Sequence, residues 1–473
     1  MGSSREWSEA QFGDADLGDV RRTTRLVELA AEVASRPAGT VMKACASSAS
    51  REGAFRLLEN SCVRPDAVRE AMQRAGARAC RDLQKVVVPI DSTSLSLSEG
   101  IRKKGIGAVG RWDRGARGVH VMSALALTSD GVPLGICGQR MWTRDARSVI
   151  GEHGARGRPS ENRFWLELLL QSHRDIRAEA PQCRPWFQMD RGADCWEVLT
   201  SSAAFGIMMT VRATHDRRTD NDAGRLWASL EEARIVAKQK ILVPARPPAP
   251  RKKRVAGKRV KYFTPRRSAR IAAVVVRAAR VPVQCRIKPS EREVTVLVNA
   301  VLVREVGGPA NDRLEWLLLT THPVGKRADV LEVVRNYALR WRIEDFHRLW
   351  KRGLCRVEDT QLRSRDAIFK WATILAAVAT RAARITRLAR TTPNVPASTE
   401  FSSHELAALF ALRQPKGFDE ATVPTLAIAV RWIADLGGYT GPWNGLPGAT
   451  VIGRGLHDVL VTARAFEFQA QKR

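Results

Sequence analysis

Along the first eighty residues, apolar positions recur at helical spacing. Leu26, Leu29, Ala30 and Val33 form one stripe of a helix predicted over about 19–35 ("DVRRTTRLVELAAEVAS"), which Arg36-Pro37 stops. Two further helices are predicted over 49–60 ("ASREGAFRLLEN") and over 64–82 behind Pro65. At residue 85 the period changes to that of strands: "KVVVPIDSTSLSL" (85–97), "GVHVMSALALT" (118–128) and "VPLGICGQRMW" (132–142), then "PWFQMD" (185–190) and "FGIMMTVRA" (205–213). Helical segments are expected around 160–180 and 194–202. Sequential strands followed by strands alternating with helices predict a mixed α/β sheet.

Beyond it come two β patterns, "RIAAVVVRAARVPVQCRI" and "EVTVLVNAVLVREV", and a strand "LEWLLLT" at 314–320. One long helix is predicted over 328–352. Helices near 365–390, 402–413, 421–435 and 454–468 follow, with a Pro/Gly-rich interruption at 437–450. The pattern divides the chain into an N-terminal helical domain (1–84), a central α/β domain (85–365) with a β-rich insertion at about 214–312, and a C-terminal helical region (366–473).

Charge adds a partner to this outline. The 78 Lys and Arg against 49 Asp and Glu leave a net charge of +29, far more than solubility needs, and such an excess attracts polyanions, nucleic acid first among them. The excess is concentrated. Residues 233–290 hold 18 Lys and Arg and no Asp or Glu, predicting a cationic loop on the insertion. Arg21, Arg22 and Arg25 crowd one end of the first predicted helix, where they form either a solvated face or a DNA contact. No run of 18 uncharged apolar residues spans a bilayer, and the polar start "MGSSREWSEAQFGDADLGD" has no secretory pattern; a cytoplasmic location without a membrane partner is expected. Eight cysteines scattered without a CxxC pair argue against a structural zinc site.

The stretch "NYALRWRIEDFHRLWKRG" (336–353) combines an acid with dense positive charge. Tyr337, Arg340, Glu344, Arg348 and Lys351 are spaced 3, 4, 4 and 3, one stripe of a continuous helix. A row of cations facing phosphates accounts for the basic residues, and Glu344 is then either the ion-pair partner of Arg340 and Arg348 or a functional acid. Two other acids bear on that choice. Asp91 ends the strand "VVVPID" and Asp190 ends the strand "WFQMD", each where apolar β sequence gives way to a polar turn. If these two met Glu344, three carboxylates would require cations between them. Hard oxygen ligands suit two Mg²⁺ ions, the arrangement that assists in-line phosphoryl displacement.

"YALRWRIEDFHRLWK" fits Y-x2-R-x3-E-x6-K, and the chain resembles the bacterial cut-and-paste transposases of insertion-sequence family four. "LGDVRRTTRLVELAAEVA", "REGAFRLLEN", "DSTSLSL", "MDRGAD", "LEWLLLT" and "VNAVLV" resemble that family's segments in the same order. The resemblance implies an RNase H-like catalytic domain with a DDE triad of Asp91, Asp190 and Glu344 on two Mg²⁺ ions, for which Mn²⁺ can substitute. It also implies an N-terminal domain that binds the transposon end, a C-terminal region that makes a homodimer, and double-stranded end and target DNA as partners. In such enzymes a nick frees a 3′-hydroxyl that forms a hairpin, and the excised element is joined to a target. Tyr337, Arg340 and Lys351 would contact phosphates, with Arg342 and Arg348 beside them and Arg212 near the active site. Trp316 would stack on a flipped base, or else be a core residue of its apolar strand; His120 is likewise either near the site or structural. Gly192 and Ser92 depart from the family's usual "DRE" and "DTTS". A DNA-end-binding regulator without catalysis, a domesticated transposase, or a same-fold nuclease without strand transfer are the competing expectations.

Overall fold

The computed structural model describes residues 4–97, 105–109, 116–144, 161–243, 250–255, 258–263, 267–286, 293–309, 312–417, 422–441 and 445–470; for 250–263 and 286 it describes the backbone alone. In chain order the elements are α1 (Ser4–Phe12), α2 (Val20–Ser35), α3 (Val41–Ala44), α4 (Ser48–Glu59), α5 (Pro65–Arg78), β1 (Lys85–Leu97), β2 (Gly107–Ala108), β3 (Arg117–Leu127), β4 (Pro133–Trp142), α6 (Arg163–Glu179) and β5 (Arg184–Met189). Then come α7 (Trp196–Ala204), β6 (Met208–Arg212), α8 (Leu226–Glu232), β7 (Ile235–Val243), β8 (Pro250–Val255), β9 (Lys258–Phe263), β10 (Arg270–Arg286), β11 (Glu293–Glu305), β12 (Glu315–Thr320) and α9 (Arg327–Ala338). The last helices are α10 (Arg342–Lys351), α11 (Arg365–Thr391), α12 (Ser403–Arg413), α13 (Leu426–Leu436) and α14 (Ala449–Ala470). The fold is mixed α/β, with helices at both termini, and divides into two compact units: Met1–Gln188 with Leu339–Arg473, and Met189–Ala338.

The larger unit is organised around α11. Residues 367–379 of this helix are buried on every side, which a helix tolerates only when other elements enclose it. Its Trp371 donates to the Gly39 carbonyl (2.8 Å) and its buried Lys370 to the carbonyls of Leu58 and Asn60 (both 2.8 Å). The N-terminal helices are therefore fastened to α11 by paired polar groups as well as by apolar packing. Trp350 of α10 donates to the Ala372 carbonyl (3.1 Å) and stacks on Phe346. The strands run β2-β3-β1-β5, with β4 also on β3, and the antiparallel β1–β3 ladder sets Asp91 opposite Ser123.

Two expectations change here. The apolar run 86–90 does not end β1 at Asp91: the strand continues to Leu97, because Leu95 and Leu97 alternate inward and residues 92–97 keep pairing with β3. Asp91 thus lies mid-strand, where the burial pattern passes from continuous to alternating. The single helix expected over 328–352 is broken by a 3₁₀ turn at Leu339–Trp341. Tightening at that turn takes Tyr337 out of register with Glu344, so the five-residue stripe is not one helical face.

The smaller unit has strand order β6-β12-β11-β10-β7, each neighbouring pair antiparallel. The two β patterns of the insertion form a long β10–β11 hairpin, joined by β7. Of the expected cationic loop, β8 and β9 form an antiparallel two-stranded ribbon; residues 244–249 and 264–266, and the side chains of the ribbon, lie outside the described residues.

Candidate active site

In the larger unit, Asp91 of β1 and Glu344 of α10 converge on one guanidinium. Arg340, only 9% exposed, places Nη1 3.4 Å from Asp91 Oδ2 and Nη2 3.6 Å from Glu344 Oε1. The 3₁₀ turn that breaks the helix is what carries Arg340 into this position. Arg348, largely exposed, stands 3.9 Å from the other Glu344 oxygen. Burial pushes the Glu344 carboxyl up to about 7, partly opposed by Arg340 and Arg348 and reinforced by the negative charges of Asp91 and Asp345. Sequence reasoning left Arg340 as a phosphate contact or as the ion-pair partner of Glu344; the structure pairs it with Glu344 and adds Asp91, which the sequence did not offer as its partner.

The same helix is tied to β1 one turn further on. Lys351 Nζ donates to the Ser94 carbonyl (2.7 Å) and to Thr93 Oγ1 (3.3 Å), and lies 3.5 Å from Glu358. The buried Glu358 also accepts from Ser96 N (2.9 Å) and pairs with Arg352 (3.1 Å). Glu358 escaped sequence reasoning, since nothing in "CRVEDT" marks it as an anchor between helix and strand. His347, buried beside Phe346, is pushed down to about 3 by burial and by the charges of Lys351 and Arg340, so it stays neutral. On the other side of α10, Arg342 pairs with Asp345 at 2.9 Å.

Asp190 belongs to the smaller unit. It directly follows β5 and caps a 3₁₀ turn at Arg191–Ala193, its Oδ1 accepting from Gly192 N at 2.8 Å. Behind it, the buried Asp194 holds the backbone of Thr214 (2.6 Å) and His215 (3.2 Å) and pairs with Arg217 at 2.6 Å, fixing the turn. Arg212 donates from Nη2 to the Glu315 carbonyl at 2.6 Å. Trp316 is 7% exposed and meets the buried Tyr337 edge-on, centroids 5.2 Å apart. Its ring would have to leave this contact before a base could stack on it.

Of the N-terminal arginines, Arg21 is exposed, Arg22 donates to the Leu17 carbonyl (3.0 Å), and Arg25 is packed against α4, bonded to Glu28 (3.0 Å) and the Ser50 carbonyl (2.9 Å). His120 is buried, stacked on Trp142 and within 3.2 Å of the Ala108 carbonyl, a structural setting.

Among the described residues no three His, Cys, Asp or Glu side chains gather as a metal cluster. Asp91 and Glu344, each beside Arg340, supply hard carboxylate oxygens, the donor type that suits a divalent cation such as Mg²⁺.

An RNase H-like α/β domain carrying acids on its strands and on a following helix is the class this architecture defines. Residues 4–63 match the transposase DNA-binding family and residues 82–381 match the transposase DDE domain family. The second match covers more than half of the chain, which therefore belongs to the DDE transposases. DNA is its partner, and among the described residues no helix is long and apolar enough to cross a membrane.

Proposed function

We propose that this transposase cuts and pastes: it binds transposon ends as a homodimer, nicks each end, forms and reopens a hairpin, and joins the excised element to target DNA. The observation that carries this reading is the convergence of Asp91 and Glu344 on Arg340, with the Glu344 carboxyl raised by burial and by its neighbour. Asp190 completes the triad. It directly follows β5 as the first acid of "MDRGAD", the segment whose likeness to the family gives it this role. The "YALRWRIEDFHRLWK" signature supports insertion-sequence family four, and within it a likeness to the transposase of the composite kanamycin-resistance transposon.

Asp91, Asp190 and Glu344 would hold two Mg²⁺ ions, which when bound lower the cost of deprotonating the attacking hydroxyl and of charge on the leaving oxygen. The chain's residues prepare that site. Arg340 balances the two acids and keeps their oxygens aimed at one point, while Lys351 and Glu358 lock α10 against β1 so that Glu344 and Asp91 keep register. Arg348, exposed beside Glu344, is placed to meet a phosphate. Tyr337 and Trp316 are proposed to engage DNA only after their buried contact opens.

The test is incubation of the full chain with Mg²⁺ and a duplex bearing the inverted repeats that flank its own coding sequence. Excision with hairpin intermediates supports the proposal. Nicking without joining would make the protein a nuclease of this fold, and binding without cutting an end-binding regulator.

A further inference from the structure

The face of α10 opposite Glu344 holds a second concentration of charge that the active-site reading does not use. Gly131 turns with a positive φ of 78° directly against Arg342: a Cβ built there would lie 2.8 Å from Leu339 and 3.4 Å from Arg342 Cγ. From the other side, Arg387 of α11 donates Nε to the carbonyl of Asp130, 2.9 Å away, with Nη2 on the same oxygen. One turn along α11, Arg390 donates to the Pro447 carbonyl at 2.7 Å. Arg342 and Arg348 share Asp345, at 2.9 and 3.4 Å.

Arg342 and Arg387 thus flank the Gly131 turn, Arg390 lies one turn further along α11, and the acids acting on Arg387 and Arg390 are Asp345 and Asp130. Carbonyls orient Arg387 and Arg390 without neutralising them. Partial burial and the neighbouring Arg342 lower both guanidiniums, opposed in part by those acids, and an anion over the cluster would relieve the remaining crowding of positive charge. Arg390 is exposed and Arg342 and Arg387 partly so, leaving the cluster open to a large ligand.

We infer that Arg342, Arg387 and Arg390 form a backbone-phosphate clamp for duplex DNA, a contact surface running from the catalytic helix onto α11. Guanidiniums oriented by carbonyls, as Arg387 and Arg390 are, beside Arg342 suit phosphodiester oxygens, which arginine binds in bidentate fashion, and offer no donor pattern for reading bases. The match to the DDE domain ends at residue 381, short of Arg387 and Arg390. The inference rests on the transposase reading and extends it.

The experiment measures binding of the full chain to a labelled random-sequence duplex, without divalent metal, over a series of salt concentrations. Each lost phosphate contact lowers the slope of log affinity against log salt by about 0.9. Arg390→Gln should lower it by about one and Arg387→Gln with Arg390→Gln by about two, equally on random and end-bearing duplexes. Arg390→Gln touches an exposed side chain and is expected to melt like wild type, which keeps the test valid should the double variant fold poorly. An unchanged slope for Arg390→Gln overturns the clamp, as does a loss confined to the end sequence. Wild-type protein that cuts ends while the slope stays fixed sinks the clamp alone; wild type that binds DNA with the expected slopes but never cuts sinks the active-site reading alone.

Discussion

Replacing Glu344 by Gln removes a titration while keeping the side chain's shape. The folded carboxyl sits at about 7 against an ordinary 4.5, so the folded state holds this proton more tightly than the unfolded chain does. A group raised in this way contributes stability that is fully present below 4.5 and is lost as pH climbs through 7. At 1.36 kcal/mol per unit the loss is about 3 kcal/mol, brought toward about 2 by water reaching a side chain that is 29% exposed. In a unit of this size that is roughly 3–5 °C in melting temperature. Calorimetry of metal-free protein should therefore find Glu344→Gln equal to wild type near about pH 4 and roughly 3–5 °C more stable near about pH 8. Added Mg²⁺ should raise the wild-type melting point at the higher pH and move the variant less. A difference between variant and wild type that is the same at both pH values, or a variant less stable at the higher one, refutes the reasoning that Glu344 is held charged against the fold's own preference.

Other outcomes follow from the same geometry. Trp316→Ala, which removes a buried ring and its edge contact with Tyr337, should cost about 3–5 kcal/mol in denaturant unfolding of the smaller unit; a loss below about 1 kcal/mol would show the ring is not packed. Lys351→Ala unfastens α10 from β1 and leaves Glu358 with less compensation, so stability should fall by about 1–3 kcal/mol and cleavage with it, read by melting and by an end-cutting assay. Because protons and cations compete for Glu344, half-maximal Mg²⁺ for cleavage should decrease as pH rises from about 6 to about 8, and a flat or opposite dependence would contradict the raised carboxyl.

Long elements with one strong period were legible from sequence: α11 is buried on all sides over 367–379 and mostly apolar there, and the β10–β11 hairpin carries the two β patterns read over 270–305. Polar elements were not. The helix α1, "SREWSEAQF", has no apolar stripe and is held by Phe12 and by Ser8, whose hydroxyl donates to the Val27 carbonyl at 2.8 Å, a tertiary bond that local pattern cannot show. The 3₁₀ turn at 339–341 has neither Gly nor Pro to announce it, and the contact it allows, Arg340 to Asp91, joins residues 249 positions apart. The Ser/Thr run after Asp91 read as a turn because its register comes from pairing with β3. For the candidate site, the signature picked out Arg340 and Glu344 as neighbours, four residues apart, and the structure pairs them. What the sequence could not give is that Asp91 joins the same guanidinium, or that Tyr337 and Trp316 cover each other, because those depend on packing between segments.

The central claim is that Asp91, Asp190 and Glu344 act together on metal-dependent DNA cutting. The direct measurement is end cleavage by wild type and by Asp91→Ala, Asp190→Ala and Glu344→Ala, in Mg²⁺ and in Mn²⁺, with end binding followed in the same samples. The account predicts three variants that bind end DNA as wild type does and cut it in neither metal. Cleavage retained by any one of them in Mg²⁺ would contradict it.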